Sequence, residues 1–350
     1  MCENMIEAYL CKYPTKIYQN SFICTRQYRE HIQFDKEYIL FSSGMKKYGI
    51  RFLEHKRVFV PCGKCMQCLL KRSKSWECRA TMENLMSKES CCLTLTYDDE
   101  HLPIMPEEFI HISEDKVIRV PEHMRGMIYY KDVQDFIKRL RKHFNFKREI
   151  RYFCGCEYGS NGTLRPHFHI IIFGFTPYDI DSKTARRSSK GTVLYKSPLL
   201  NRLWNKGFCD VGKVTVQSCR YISQYCCKSQ LKCRKTLNPF VKSILEYKKK
   251  YYRECIHSSQ GLGLKFFTKD YISIISNGFV KLGRYSYAIP QYFIKKLESI
   301  NCEMFTKLKE KSREYWLNYV FDFAEKARQH LKCLQLCDKL NIFHPCQNPV

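Results

Sequence analysis

The sequence lacks any apolar run of the ~20 residues that a helix needs to cross a bilayer. Its first residues also lack the basic and apolar regions of a secretion signal. These absences predict a cytosolic chain without a membrane segment. Acidic residues are scarce as well, with 34 Asp and Glu against 60 Lys and Arg, a formal net charge of +26. That excess predicts a polyanionic partner, nucleic acid ahead of an anionic membrane surface.

Cysteine, by contrast, is abundant, with 21 residues in a chain of 350. Without a secretion signal, free thiols and a metal cluster are expected rather than a framework of disulfides. Cys62, Cys65 and Cys68 follow one another at the spacing of half a zinc site, ahead of a basic helix predicted to reach residue 86. Two interpretations stay open: a structural zinc site completed by a ligand such as Cys78, or a tight turn of buried thiols that caps the helix.

Alternation and helical periodicity divide the middle of the chain into strands and helices. The predicted elements are strand 91–97, helix 131–144, strand 150–156, a strand within 165–174, helix 198–206, strand 208–216 and a helix from its N-cap Ser218 to about 229. This β-α-β-β-α-β order is that of the ferredoxin-like split. Residues 176–197 are polar and basic, and we expect a mobile insertion there.

The predicted fold class is α+β, with an RRM-like or ferredoxin-like core of central antiparallel strands and flanking helices. Composition suggests three regions. They are a basic, Cys-rich N-terminal region over residues 1–90, the core domain over 91–230, and a basic, C-terminally helical extension over 231–350.

The stretch 165–174 reads R-P-H-F-H-I-I-I-F-G and predicts a buried strand. Because side chains alternate along a strand, His167 and His169 share one face. Glu157 stands at the predicted end of the preceding strand, which forms an antiparallel hairpin with this one. Two imidazoles side by side are suitable metal ligands. The alternative is a pair of partly satisfied histidines at the start of a strand.

The helix 131–144 has an apolar face and a basic one. The basic residues are Lys138, Arg139, Arg141 and Lys142, and Arg165 is grouped with them as a candidate DNA contact. No acidic run nearby balances this charge, so contact with DNA phosphates and an ordinary solvated face both remain open.

The helix that follows the last core strand carries Tyr221, Tyr225 and Lys228 at positions i, i+4 and i+7. That spacing puts the two phenols and the ammonium on one helix face. The alternative is a packed tyrosine stripe with a Lys that reaches out to solvent. Helix position ranks neither tyrosine, because the dipole favours Tyr221, Lys228 favours Tyr225, and each effect is about 1 kcal/mol or less. We therefore expect rough redundancy in a first reaction.

These features occur in a fixed order, together with C-L-T-L-T-Y-D-D-E-H-L-P over residues 92–103. The set resembles the replication initiators of gokushovirus-type microviruses, small single-stranded-DNA phages, within the HUH endonuclease superfamily. The resemblance covers about 60–230, from P-C-G-K-C-x-x-C at 61–68 through C-E-Y-G-x-x-x-x-x-R-P-H-F-H at 156–169 to the tyrosine helix. The chain departs from the family at Cys156, where a small residue is usual.

The resemblance implies a rolling-circle initiator that nicks the viral strand at the origin and later rejoins it to release circles. It implies a carboxylate and two imidazoles that hold Mg²⁺ or Mn²⁺: Glu157, His167 and His169. It implies two phenols that form a 5′-phosphotyrosine, with an ammonium beside them: Tyr221, Tyr225 and Lys228. The implied partners are viral origin DNA and the helicase and DNA polymerase of the host, in the cytoplasm of the infected bacterium.

Two other functions stay open at this stage. A metal-dependent phosphohydrolase that activates water would form no protein–DNA adduct and would dispense with both tyrosines. A zinc-stabilised nucleic-acid-binding protein built around Cys62, Cys65 and Cys68 would bind DNA and leave it uncut.

Overall fold

A computed structural model describes residues 6–15, 21–25, 32–35, 38–41, 49–50, 52–63, 65–110, 117–159, 164–188, 191–225 and 238–318. The fold is α+β, as predicted. Two compact units are present. One contains residues 70–293, and the other combines the chain up to residue 69 with residues from 294 onward. The predicted boundaries at residues 90 and 230 stay a prediction.

The N-terminal region forms two small antiparallel sheets of three strands each, in the orders β2-β1-β6 and β3-β4-β5. The strands are β1 Ile6–Thr15, β2 Ser21–Thr25, β3 Ile32–Asp35, β4 Tyr38–Phe41, β5 Gly49–Ile50 and β6 Phe52–Val60.

The helices described downstream are α1 Met66–Met86, α2 Tyr130–His143, α3 Pro198–Trp204, α4 Val216–Ser223, α5 Pro239–Tyr251, α6 Leu264–Asn277, α7 Gln291–Ile300 and α8 Cys302–Asn318, with one 3₁₀ turn at Glu122–Met124. Helices α7 and α8 begin the predicted C-terminal helical extension, and the rest of that prediction lies outside the described residues. No helix within the described ranges is both long enough and apolar enough to cross a membrane.

The larger unit is built on a seven-stranded antiparallel sheet in the order β12-β13-β14-β7-β11-β10-β15. Its strands are β7 Ser90–Tyr97, β10 Arg151–Tyr158, β11 Pro166–Phe173, β12 Asp181–Arg187, β13 Val193–Lys196, β14 Gly207–Lys213 and β15 Cys255–Ser258. Two short hairpins lie outside it: β8 Glu108–Ile110 with β9 Val117–Arg119, and β16 Phe279–Leu282 with β17 Tyr285–Ala288. The predicted order of strands and helices in this part of the chain is confirmed.

The two faces of the sheet have separate cores, because residues alternate along each strand. On one face, Phe168 and Ile170 of β11 pack with α2 and α3, whose buried residues include Phe136 and Trp204. Full burial of a side chain such as Phe136 contributes about 1.5–3 kcal/mol. The other face is covered by α1 and α4. His167 and His169 point to this second face, so α4 and the histidines share a side of the sheet.

Residues 176–197 differ from the expected mobile insertion, because β12 and β13 form an antiparallel hairpin at the end of the sheet. Its basic side chains made the segment resemble a loop. Two of them have a specific partner, since Arg186 and Lys196 both pair with Asp210 of β14. Charged side chains are common on sheet edges, where they discourage pairing with other chains.

The predicted N-cap of α4 is also wrong by three residues. Thr215 caps the helix by accepting a hydrogen bond from the Ser218 backbone N–H at 3.2 Å. Ser218 is the third helical residue and completes a capping box through its own hydroxyl. Both hydroxyls suit a helix start, so composition alone does not separate the two positions.

Candidate functional site

The hairpin of β10 and β11 brings Glu157, His167 and His169 to one face of the sheet. Its register pairs Glu157 directly with His167, and Gly155 with His169. Glu157 lies inside β10, which continues through Tyr158, rather than after the end of the strand as the sequence predicted. Pairing on both sides of the carboxylate-bearing strand holds it in place, because β15 bonds to the other edge of β10.

Glu157 contacts the imidazole of His169. The distance from His169 Nε2 to Glu157 Oε1 is 3.0 Å, and both side chains are about 15% exposed, at 15% and 14%. On the other side of the ring, Thr94 Oγ1 lies 3.2 Å from Nδ1. With Nε2 protonated, the imidazole donates to Glu157 while Nδ1 accepts from the Thr94 hydroxyl. Such a partner on the second nitrogen fixes the plane of a ligand histidine.

The two predicted tyrosines meet at the same carboxylate oxygen. The Tyr221 hydroxyl donates to Glu157 Oε1 at 3.3 Å, and the Tyr225 hydroxyl donates to the same atom at 2.7 Å. The predicted helix therefore delivers both phenols to the strand pair that carries the histidines. Lys228, the third predicted member of this helix face, lies outside the described residues.

Three aromatic rings pack around this carboxylate. The His169 and Tyr225 rings stack with centroids 5.5 Å apart and planes 4° from parallel. Tyr221 meets both edge-on, at 5.1 Å from His169 and 5.2 Å from Tyr225. A Cβ on Gly155 would overlap with Cδ2 of Tyr225. The missing side chain at position 155 is therefore what allows the Tyr225 ring to lie against β10.

Gly155→Ala is expected to lower the free energy of unfolding by about 1–3 kcal/mol, the usual cost of forcing a methyl group into a packed site. Urea unfolding measures the change. Gly212→Ala is the matched control, because Gly212 is also a strand glycine and its Cβ would meet only the flexible end of Leu194, at 3.2 Å. Equal stability of the two variants would contradict close packing of Tyr225 on β10.

The environments of the phenols differ. Tyr225 is fully buried, with 0% of its surface exposed, whereas Tyr221 is half-buried. Burial, with the nearby Glu157 charge, raises the pKa of Tyr221 to about 12. The same two causes raise the pKa of Tyr225 further. Both phenols are therefore protonated at neutral pH, and a reaction at either oxygen requires its proton to leave.

Helix α4 is anchored to α1 by buried polar contacts. The Arg220 guanidinium donates to Glu77 Oε1 from Nε at 3.1 Å and from Nη2 at 3.0 Å. The Ser73 and Ser223 hydroxyls lie 3.1 Å apart. Because these residues alternate with the tyrosines along the helix, they fix the rotation that turns Tyr221 toward the sheet.

The donor set on this face suits a divalent cation. One carboxylate and two imidazoles on adjacent strands offer oxygen and nitrogen ligands, a mixture that favours Mn²⁺ over the oxygen-seeking Mg²⁺. Glu157 and His169 are already in contact, and His167 stands opposite Glu157 in the register. The residues present thus fit the predicted ion, and their role as ligands stays a prediction.

The predicted DNA-contacting residues are not gathered at this site, because α2 packs on the opposite face of the sheet. Two of the basic side chains bind backbone carbonyls: Arg139 donates to Leu203 and Trp204, and Arg141 donates to Ile150. Lys138 and Lys142 are exposed. Arg165 donates to Asp99 Oδ1 at 2.6 Å and to the Tyr97 carbonyl at 2.9 Å. Their contact with DNA stays a prediction.

The three cysteines at the start of α1 do come together. The sulfur atoms of Cys62, Cys65 and Cys68 lie within 4.8 Å of one another, and the Cys65 N–H donates to Cys62 Sγ at 3.2 Å. This geometry suits a thiophilic metal and equally a tight turn that caps the helix. Cys78, the suggested fourth ligand, is buried, and its thiol contacts Met82 Sδ at 3.9 Å. Zinc at this cluster remains a prediction.

Comparison with known proteins identifies relatives of this chain. The family of the "Replication-associated protein ORF2" type matches residues 90–230, the stretch that contains Glu157, both histidines and both tyrosines. The class of protein is therefore a replication-associated protein.

Relatives of greater coverage narrow this class. The chain is 30% identical over 276 residues to Replication-associated protein ORF2 of Spiroplasma virus 4, an alignment that covers 77% of this chain and 73% of that protein. It is 28% identical over 285 residues to Replication-associated protein ORF4 of Chlamydia phage 1, covering 79% and 63%. Replication-associated protein VP4 of Bdellovibrio phage phiMH2K is 33% identical over 174 residues, 48% of each chain.

The chain belongs to the family of replication-associated proteins of these small phages, the microviruses. No solved structure matches the chain significantly. The resemblance inferred from the motifs is thereby confirmed at the level of the family.

Proposed function

We propose that this protein is a rolling-circle replication initiator, a site-specific DNA nickase and strand-transferase that acts on viral origin DNA through a 5′-phosphotyrosine. The observation that carries the proposal is the convergence of two phenols on one carboxylate oxygen beside an imidazole. Tyr221 and Tyr225 both donate to Glu157 Oε1, and His169 contacts the same atom. A site for water-dependent hydrolysis has no use for two aligned phenols.

The strand order supports an RRM-like HUH core around this site. In the β-α-β-β-α-β pattern the four strands are β7, β10, β11 and β14, and they lie in the sheet as β14-β7-β11-β10. The first and third strands are therefore central, and the third carries both histidines. Under this proposal β12, β13 and β15 are additions at the two edges of the core.

Glu157, His167 and His169 would hold the divalent cation, Mn²⁺ or Mg²⁺. When bound, the cation supplies charge that polarises the scissile phosphate and offsets negative charge in the transition state. The chain itself contributes the orientation of these ligands. Thr94 contacts Nδ1 of His169, and the pairing of β10 with β11 sets the carboxylate beside the imidazoles.

The reaction at a tyrosine is an exchange of phosphate esters. As the phenol oxygen bonds to phosphorus, the bond from phosphorus to the 3′ oxygen breaks, the phenol loses its proton and the 3′ oxygen gains one. The raised pKa of Tyr221 makes the transfer of that proton part of the chemical step. Because no ester is lost to water, a 3′-OH can reverse the link and rejoin the strand.

Two tyrosines give the site a second nucleophile while the first is esterified. Once a round of synthesis has regenerated the origin, the second phenol cuts it and the released 3′-OH attacks the first phosphotyrosine. A closed single-stranded circle leaves, and the protein stays linked to the new end. Placing both phenols on one carboxylate lets them use a single phosphate position in turn.

The partner of this site is origin DNA, single-stranded or in the supercoiled replicative form. Three named relatives are replication-associated proteins of phages, which supports action in the cytoplasm of an infected bacterium. Host helicase and DNA polymerase are partners that the family resemblance implies. The positive charge of the chain, +26, supports sequence-independent attraction to the DNA backbone.

The affinity for single-stranded DNA is expected to fall with salt, with a slope of about −0.7 in log–log form for each phosphate contact. Neutralising Lys138, Arg139, Arg141 and Lys142 together should flatten that slope. Since the two arginines also bind backbone carbonyls, Lys138→Gln/Lys142→Gln is the arm that spares the fold. Fluorescence anisotropy across a salt series measures it, with Lys269→Gln/Lys281→Gln as control. An unchanged slope would place the DNA track elsewhere.

One experiment separates the proposed function from its rivals. The protein is incubated with an origin single strand and Mn²⁺, and a denaturing gel is searched for an SDS-stable protein–DNA adduct. A strand-transferase gives the adduct and a free 3′-OH. A phosphohydrolase gives cut DNA without an adduct. A zinc-stabilised binding protein, the alternative favoured by the convergence of Cys62, Cys65 and Cys68, leaves the strand intact.

A further inference from the structure

A second group of metal-ligand side chains lies on the other face of β10, away from the tyrosines. The Sγ atoms of Cys156 and Cys255 and a ring nitrogen of His257 all lie within 4.8 Å of one another. Cys255 Sγ is 3.0 Å from His257 Nε2. Cys154 Sγ is 4.0 Å from Cys156 Sγ. Four donor groups of soft or intermediate character are thus gathered at one place on the sheet.

The strand register explains this convergence. Antiparallel pairing sets Cys156 directly opposite Cys255 and Cys154 directly opposite His257. Each strand contributes two residues spaced two apart, and such residues point to the same face. The result is a two-by-two array of donors across two neighbouring strands. Since Gly155 and Glu157 of β10 point the other way, one strand serves two separate sites on opposite faces.

We propose that Cys156, Cys255 and His257, with Cys154 as the fourth donor, form a binding site for one zinc ion.

The donor set is the reason for zinc. Three thiols and an imidazole form one of the common structural zinc sites, and thiolate ligands disfavour Mg²⁺ and Ca²⁺. Sulfur atoms of a tetrahedral site with Zn–S bonds of about 2.3 Å are about 3.8 Å apart. The separation of Cys154 Sγ from Cys156 Sγ, 4.0 Å, is close to that value.

Core packing alone does not account for the histidine. A buried cysteine often serves as a small apolar side chain, and Cys154 and Cys156 are both fully buried. His257, however, is only half-buried on β15 and yet directs Nε2 at a thiol. Its ring is held by Tyr130, which stacks on it with centroids 3.5 Å apart and planes 12° from parallel. A fixed imidazole turned toward sulfur is the arrangement of a metal ligand.

The consequence of occupancy is structural. The strand β15 holds only residues Cys255–Ser258 and pairs with β10 at the edge of the described sheet. A metal bridge would join two residues of each strand and hold the short strand in register. Because metal binds the folded arrangement and not the unfolded chain, zinc should raise the thermal stability of the protein.

The test uses the full chain, reduced and stripped of metal, and titrates Co²⁺ as a spectroscopic substitute for zinc. Charge-transfer absorption from thiolate to cobalt reports cysteine ligands, so a cation at Glu157 and the two histidines does not contribute. A Cys62→Ser/Cys65→Ser/Cys68→Ser background removes the other cysteine cluster. In that background we expect the absorption to saturate at one Co²⁺ per chain.

Cys255→Ser and His257→Ala, each added to the background, should weaken or abolish the absorption. Cys209→Ala is the matched control, because Cys209 is a fully buried cysteine in the same core, and it should leave the absorption unchanged. Absence of the absorption in the background, or its persistence in both variants, overturns the proposal. So does a Cys156–Cys255 disulfide in protein purified without reductant that carries no metal.

A second measurement avoids the triple background in case it does not fold. Zinc per chain is measured by mass spectrometry for the otherwise unchanged protein and for Cys255→Ser/His257→Ala. The variant should hold one zinc fewer and lose the zinc-dependent rise in melting temperature. Equal zinc content in both overturns the proposal. None of these readouts depends on DNA cleavage, so failure here and failure of the proposed nickase are distinguishable.

Discussion

Replacing both site tyrosines by phenylalanine is expected to abolish the covalent DNA adduct, whereas each single replacement leaves one nucleophile. The double variant Tyr221→Phe/Tyr225→Phe keeps the rings and removes only the hydroxyl groups. The ring packing around His169 should therefore survive. Adduct formation on an origin oligonucleotide, followed by peptide mapping of the modified residue, measures the outcome.

The single variants are expected to differ, for a reason that helix position does not provide. Tyr221 is half-buried, while Tyr225 is fully buried and holds the shorter hydrogen bond to Glu157, 2.7 Å against 3.3 Å. A phosphate approaching from solvent reaches the Tyr221 oxygen first. Tyr221→Phe should therefore slow the first cleavage about tenfold or more relative to Tyr225→Phe, a difference of about 1.4 kcal/mol in activation free energy.

Circle release should require both phenols. Each single variant is expected to cut a supercoiled origin plasmid and then fail to release closed single-stranded circles, because no second nucleophile is present. Tyr195→Phe, a half-buried tyrosine on β13, serves as control and should complete circles. A single variant that completes circles would show that one tyrosine suffices and that its neighbour is packing.

The central elements were predictable because each has a strong and single periodicity. Alternation of Leu93, Leu95 and Tyr97 marked β7, and those residues are buried as a strand face requires. The apolar spacing of Val133, Phe136 and Ile137 marked α2 in the same way. Where charge hid the pattern the prediction failed, since the basic residues of β12 resemble a solvated loop until Asp210 of another strand is placed beside them.

The site was predictable in its residues but not in its contacts. Sequence spacing identified the histidines, Glu157 and the tyrosines, because each type has a chemical use. It did not identify Thr94 or Gly155, whose roles depend on long-range pairing: Thr94 lies opposite His169 only through the β7–β11 register. The alternating threonines of C-L-T-L-T-Y were the available signal. They could be interpreted only once the neighbour of that strand was known.

The position of α2 shows the same limit for charge. A basic helix face predicts an anionic partner, yet Arg139 and Arg141 donate hydrogen bonds to carbonyls within the protein. They pack on the face of the sheet opposite the tyrosines. Periodicity specifies which residues share a helix face. It does not specify which side of a sheet that helix covers.

His169→Ala is expected to abolish nicking while largely sparing DNA binding. The imidazole is one of two on this face, contacts Glu157 Oε1 at 3.0 Å and stacks on Tyr225. Loss of a ligand removes charge stabilisation of several kcal/mol from the transition state. Because each 1.36 kcal/mol is tenfold, the rate should fall about a thousandfold or more. Affinity should change little, since most of it comes from backbone electrostatics.

Glu157→Gln separates loss of the cation from loss of the fold. The amide keeps the size of the side chain and an oxygen that can accept the phenol hydrogen bonds. It removes the negative charge that the cation needs, so half-maximal cleavage should require more Mn²⁺ while the melting temperature changes little. His143→Ala, an exposed histidine at the end of α2, is the control and should behave as the unchanged protein. If His169→Ala nicks at the unchanged rate, or loses affinity for DNA as steeply as it loses activity, the histidine pair is not the metal site and the two imidazoles are there to pack the tyrosines.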